Sequence, residues 1–324
     1  MTARMNRRLY GLLSKRLDEV GLEQVPDRRD ERGKRWQLGA LLRAVTGAML
    51  GGAKSLAEVE ALSERMSTPV RRLLGINRRV PDTTLRDALI TVEPDELRKP
   101  LHALIRCAQR RKALDPQQLP FGVASLDGKA FSIPASDDWY AQRQTGGDDG
   151  PLVGVVRTVT ATLISHPARP ILDLYPIAAP TNEMGAFEPA LAALCNAYSG
   201  LFELVCYDAG ACSAKNAERV RERGLHYLFA LTAAQPTLLE EAKRWLGSRT
   251  AAEADATSED LERGQVVTRR LYLGGAVAGP DGWQSLRTVL RVETEIRDQS
   301  GKLISHDGRY LISSMPECRL TKEH

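Results

Sequence analysis

Hydrophobic positions first change their spacing at Asp115-Pro116. Before that point apolar residues recur at intervals of three and four, the period of a helix with one buried face. LGALLRAVTGAML (38–50) is the clearest case, and the pair Gly51-Gly52 predicts where it stops. Ser55 with Glu58 three residues later predicts a capping box for a helix running to about residue 66. Residues 67–74 predict another short helix, and Thr83 predicts the cap of one carrying Leu85, Ala88 and Leu89. Pro94 suits the first turn of a last helix with Leu97, Leu101, Leu104 and Ile105 on one face, ending in RCAQRRK (106–112). Short helices with basic corners fit a DNA-binding unit and equally an ordinary bundle with a charged surface.

After residue 115 the pattern turns to strands. Residues 121–133 hold the first, and QTGGDDGP (144–151) predicts a polar loop. LVGVVRTVTATLIS (152–165) is β-branched and mostly apolar, HPARP (166–170) predicts a turn, and 171–178 a return strand. Helical spacing then returns at 186–198, with Phe187, Leu191, Leu194 and Tyr198. LFELVCYD (201–208) reads as a strand buried on both faces. Ser213 predicts a helix cap, 225–231 a strand, and Pro236 the start of a helix to Trp245. Residues 247–264 are polar and acidic, with strands predicted at 266–272, 286–296 and 309–313. These patterns predict an all-α region over residues 1–114. Residues 115–324 are predicted to form an α/β domain with a mixed sheet. A three-strand meander followed by α/β alternation is the element order of the ribonuclease H-like fold.

That order gives two aspartates a shared place. Asp127 in FGVASLDGKAF (121–131) follows the first strand, and Asp208 ends the strand after the first helix of the domain. Neighbouring parallel strands bring their C-terminal ends to one crevice, where ligand sites of open α/β sheets lie. Two carboxylates roughly 4 Å apart repel by about 4 kcal/mol at an effective dielectric near 20, so a cation, a shared proton or a basic side chain must offset them. Oxygen ligands with few His or Cys nearby favour a hard ion such as Mg²⁺. A local reading stands beside this one: Asp-Gly at 127–128 is a common hairpin corner, and Asp208 can cap the segment that follows it. Lys129 either screens the site or is simply solvated.

Composition narrows the classes. A net charge of +4 permits a polyanionic partner without requiring one, and aromatics at 5% argue against base stacking as the main binding device. The five cysteines form no CxxC pair and no zinc-spaced cluster; Cys195 and Cys206 sit in apolar segments and read as small core residues. The basic, amphipathic start MTARMNRRLYGLLSKRL lacks the features of a secretion signal, and no apolar run is long enough to span a bilayer. A cytoplasmic location is expected.

LDGKAF around Asp127, TNEMGAF (181–187), CYDAGACS around Asp208, HYLFALTAAQP (226–236) and GRYLISSMP (308–316) together resemble bacterial insertion-sequence DDE transposases, the H-repeat-associated group above all. Residues 38–104 resemble the helical N-terminal region of that group. The resemblance implies a ribonuclease H-like catalytic domain that cuts and joins DNA strands at insertion-sequence ends with two Mg²⁺ or Mn²⁺ ions. It implies Asp127 and Asp208 as the first two catalytic, metal-binding acids, insertion-sequence ends and target DNA as partners, and a homo-oligomer on DNA. Two departures stand out. TAAQ (232–235) replaces a Lys-Gly-Asn-Gln-like turn, and the family's catalytic Glu lies beyond a late strand, in a helix this sequence does not reach. Glu293 and Glu295 precede that position, and Glu183 of the Asn-Glu pair reads as a residue at a helix start. The expectation is a transposase truncated before its third acid, with little strand-transfer activity of its own. The alternative is a non-catalytic DNA-binding remnant.

Overall fold

The computed structural model describes residues 3–117, 119–135, 141–145, 150–275 and 282–320. They fall into two compact units, Met1–Ala113 and Leu114–His324.

The first unit is helical: α1 (Ala3–Val20), α2 (Leu38–Leu50), α3 (Leu56–Arg65), α4 (Thr68–Leu73), α5 (Asp82–Leu89) and α6 (Pro94–Arg110). Its core gathers Leu41, Leu42, Ala44, Ala48, Val59, Leu74, Ile76, Val80, Leu85 and Ala88. Ser55 caps α3 by accepting from the Glu58 amide at 3.2 Å, while the Glu58 carboxylate accepts from Lys54 N–H at 2.7 Å, one residue ahead of the expected box. Pro94 opens α6 as predicted. The face predicted for α6 divides: Ile105 is buried, whereas Leu97 and Leu104 stay exposed.

Thr83 is not the cap of α5. Pro81 holds the cap position, and the Asp82 amide donates at 2.9 Å to the Glu60 carboxylate of α3, which also pairs with Arg79. The helix therefore starts earlier than Thr83 as its cap would imply, at Asp82, and a partner from another helix satisfies its first free donor. Buried Ser63 makes a second tie between the same segments, donating to Glu60 C=O at 2.7 Å and accepting from Val80 N–H at 3.0 Å.

The second unit is built on a ten-stranded mixed sheet. Its elements are β1 (Val123–Pro134), β2 (Ala141–Thr145), β3 (Leu152–Leu163), β4 (Ile171–Ile177), α7 (Glu183–Ala197), β5 (Leu204–Tyr207), α8 (Ala214–Glu222), β6 (His226–Ala230), α9 (Pro236–Leu246), β7 (Ala256–Glu262), β8 (Gln265–Gly275), β9 (Thr288–Arg297) and β10 (Leu303–Ser313). The strand order is β2-β3-β1-β5-β6-β10-β9-β8-β7, with β4 also paired to β3. β1, β3 and β4 make the expected antiparallel meander, and β5 joins β1, and β6 joins β5, in parallel. The loop predicted at 144–151 instead begins as the end of β2, and residues 146–149 lie outside the described ones.

Two departures from expectation concern exposed backbone pairing. β10 starts six residues before the predicted 309, and β7 forms within the polar stretch 247–264. β7 buries almost nothing and pairs only with β8, so no hydrophobic alternation announces it. The return of β10 beside β6 is fixed by two serines. The Ser313 hydroxyl donates to Tyr227 C=O at 2.7 Å, and the Ser314 hydroxyl accepts from Tyr227 N–H at 3.2 Å.

α7 packs on β3 and β4 and contributes Phe187, fully buried. The Phe187 ring meets Tyr207 edge-on at 5.1 Å and Phe229 at 6.2 Å, so the helix is anchored to both β5 and β6. All five cysteines are free thiols, and burial pushes Cys206 and Cys212 up to about 12 and also raises Cys195. At neutral pH these three are protonated, apolar fillers, as read for Cys195 and Cys206. Among the described residues no helix is long and apolar enough to cross a membrane.

Candidate active site

The Asp-Gly pair at 127–128 is not a hairpin corner. β1 runs through it unbroken, with Asp127 opposite Thr160, Gly128 opposite Val159 and Lys129 opposite Thr158 on β3. Gly128 has no left-handed φ, so turn geometry is not why glycine stands there. A Cβ at 128 would lie 2.0 Å from Oε2 of Glu183 and 2.1 Å from its Cδ. The glycine leaves room for a carboxylate delivered by the first turn of α7.

Alternation along the strands then sorts the side chains. Leu126 and Gly128 face the side covered by α7, with Ala161 and Val159 beside them on β3. Asp127 and Ser125 face the opposite side. The parallel register pairs Ser125 with Cys206. Asp127 lies two residues beyond Ser125, within β1, and Asp208 two residues beyond Cys206, just past the end of β5.

Asp127 is half-exposed and pairs with Lys129, two residues along on the same face. Its carboxylate, more than the nearby charge of Glu183, raises the Lys129 pKa above the usual lysine value. Asp208 follows β5, is exposed, and accepts at 2.9 Å from Gly210 N–H, which is the local capping role its sequence context allows. Each carboxylate of the sequence-predicted pair is engaged by a neighbour in its own segment.

Two further groups join it from the α7 side. Asn182 caps α7 by accepting from Gly185 N–H at 2.8 Å, so Glu183 stands first in the helix, where the dipole favours an anion. Arg157 on β3 fixes the preceding loop, donating to Ala179 C=O at 2.9 Å and Thr181 C=O at 2.5 Å. The Tyr207 hydroxyl donates to Glu183 Oε1 at 2.7 Å. Burial first, then that hydrogen bond and the charges of Glu183, Asp208 and Asp127, push the Tyr207 phenol far above its ordinary value. Tyr207 is therefore a permanent donor within the field of all three carboxylates. Sequence reading missed it; its one visible signal is a hydroxyl-bearing side chain ending an apolar run beside Asp208.

The TAAQ turn keeps a polar contact. Gln235 Nε2 donates at 2.7 Å to Cys212 C=O, tying the start of α9 to the segment after Asp208. Glu293 and Glu295 lie elsewhere in the sheet, on β9, as members of ion-pair networks. Glu293 pairs with Arg291, accepts from the Tyr272 hydroxyl at 2.7 Å and lies 3.4 Å from His306 Nε2; Glu295 pairs with Arg297 and with Arg270 at 3.2 Å. Burial opposes the charge on Glu293, but Tyr272 and Arg291 overcome it and hold its pKa below the ordinary 4.5. A carboxylate more acidic in the folded state adds stability above the unfolded pKa, and that stability is lost as pH falls through the folded value. Thermal melts from pH 7 to below 4.5 are expected to show a steeper fall in Tm for the wild type than for Glu293→Gln. Equal slopes would remove Glu293 from the acid response.

Among the described residues no three His, Cys, Asp or Glu side chains form a group able to hold a metal ion. The donor chemistry of Asp127 and Asp208 fits a single hard cation of the Mg²⁺ type, which is commonly held by one or two carboxylates together with water and substrate phosphate. It does not by itself form a two-metal cage.

Comparison with known proteins gives one family match. Residues 21–105 match the model of the DDE_Tnp_1-associated family. The match supports the resemblance of the sequence to DDE-type transposases. No curated protein matches the chain. Among solved structures it is similar to the cryo-EM structure of a piggyBac transposase synaptic complex with hairpin DNA, at 14% identity and a TM-score of 0.40, over 93% of this chain and 56% of that one. The chain therefore spans little more than half the length of that protein. The matched stretch begins with the Gly21 turn after α1 and ends within α6.

Proposed function

We propose that the chain is a DDE-type transposase whose second unit is a ribonuclease H-like domain acting on DNA phosphodiesters at insertion-sequence ends. What supports this reading is the parallel register of β1 and β5, which pairs Ser125 with Cys206, two residues before Asp127 and Asp208 respectively. The match of residues 21–105 to the DDE_Tnp_1-associated family model supports it independently.

In this reading Asp127 and Asp208 hold Mg²⁺ or Mn²⁺, which activates an attacking oxygen and stabilises the leaving one when bound. The chain's own residues prepare the site. Lys129 neutralises Asp127 while no cation is present, and once displaced its ammonium is free to meet a phosphate oxygen. Tyr207 keeps its proton and holds Glu183 against β1. Gln235 steadies the segment that follows Asp208.

The test is Mn²⁺ binding followed by electron paramagnetic resonance, run beside nicking of a supercoiled plasmid. Asp127→Asn and Asp208→Asn are each expected to weaken Mn²⁺ binding tenfold or more and to abolish any metal-dependent nicking. Wild-type binding no tighter than either variant would sink the metal site. The engagement of Asp127 by Lys129 favours a second reading, a DNA-binding remnant without chemistry; salt-dependent DNA binding with no Mn²⁺ site would establish it.

A further inference from the structure

The helical unit contains a cleft of about 560 Å³ lined by Arg32, Arg35, Trp36, Arg78, Arg79, Pro81 and Thr84. Every charged residue lining it is an arginine. The four arginines are exposed, whereas Trp36 is buried and forms the cleft's floor. Carboxylates nearby are already committed: Glu60 pairs with Arg79 and accepts from the Asp82 amide, Glu31 pairs with Lys34, and Asp30 accepts from Arg32 N–H at 2.8 Å. No carboxylate among the described residues pairs with the guanidinium of Arg32, Arg35 or Arg78. Arg78 instead lies over the Trp36 ring, 5.4 Å from its centroid, which orients the fork without neutralising it.

The cleft is also held in shape. Arg29 pairs with Asp27 at 2.7 Å and donates to Trp36 C=O at 2.6 Å, so the tryptophan's backbone is fixed from behind. Val80, directly after the arginine pair, is fully buried and bonded to Ser63, and Glu60 anchors Arg79 and the start of α5. Three uncompensated guanidinium groups on a fixed frame repel one another unless an anion lies between them. Planar forks suit paired phosphate oxygens better than a single small ion.

We propose that this arginine cleft is where the helical unit grips the phosphodiester backbone of duplex DNA. Arg32, Arg35 and Arg78 contact phosphates, and Arg79 with Glu60 serves as the frame. This rests on the transposase reading for its choice of DNA, and it assigns the contact to residues that reading leaves open. The contact is to the backbone, so it positions the protein on DNA without selecting sequence.

The experiment measures binding of the full chain to a fluorescein-labelled duplex of mixed sequence by anisotropy, over a series of sodium chloride concentrations. The cleft variant carries Arg32→Gln, Arg35→Gln and Arg78→Gln; a charge-matched control carries Arg65→Gln, Arg106→Gln and Arg110→Gln, exposed positions of the same unit outside the cleft. Each phosphate contact contributes about 0.9 to the slope of log K against log salt on B-form DNA. The cleft variant should therefore lose about 2 to 3 from the wild-type slope, with its Tm unchanged, and the control much less. A slope unchanged in the cleft variant, or lowered equally in the control, overturns the cleft assignment and leaves the transposase reading intact. A wild type that binds no duplex at all overturns both.

Discussion

Replacing Gly122 with alanine is expected to destabilise the sheet unit by about 3 kcal/mol or more, at the upper end of what forced overpacking costs. A Cβ there would sit 2.1 Å from the Leu201 carbonyl oxygen and 2.7 Å from Phe202 Cα, and both obstacles are backbone. Neither can swing away as a side-chain tip could. The same glycine's carbonyl accepts from Glu203 N–H at 2.9 Å and from Leu204 N–H at 3.3 Å, so moving it also disturbs the point where β5 is laid beside β1. Urea unfolding followed by circular dichroism measures the loss. A variant within 1 kcal/mol of wild type would show that the two segments separate more easily than their packing implies.

Gly128→Ala should have an effect of similar origin but different character. The obstacle is the Glu183 carboxylate, which is the end of a side chain, yet Tyr207 holds it and the start of α7 fixes its base. The expected cost is about 1 to 3 kcal/mol. Removing the carboxylate removes the clash, so adding Glu183→Ala to Gly128→Ala should recover much of the loss. A double-mutant cycle would then give a coupling of about 1 kcal/mol or more. Additive losses would mean that the glycine is needed for something other than Glu183. The cycle also bears on the site, because Glu183 and Tyr207 connect α7 to the strands bearing both aspartates.

Features decided within a few residues were legible in the sequence. Ser55 and Ser213 cap their helices, Pro94 and Pro236 open theirs, and the apolar runs at 152–165 and 201–208 became strands. The parallel pairing of β1 with β5, the strands that lead to Asp127 and Asp208, was legible at one remove, through the order of elements. What local pattern could not carry was any feature settled by a distant partner. Asp-Gly looks like a turn until Glu183 is seen where a Cβ would be. Thr83 looks like a cap until Glu60 is found in the role. β7 looks like a loop because its backbone alone makes it a strand. The arginine cleft joins residues 32–36 to residues 78–84, and neither stretch is unusual by itself.

β7 carries a final consequence. Among the described residues it ends the strand order, and none of their strands pairs with its outer side. Its sequence ATSEDLE places Glu259, Asp260 and Glu262 along that rim, with Arg269 of β8 pairing with the last two. A second molecule aligning its own β7 there would bring matching acidic rows together, and like charges directly opposite one another disfavour the pairing. The rim is a built-in barrier to fibre growth, one that acidification or high salt would lower.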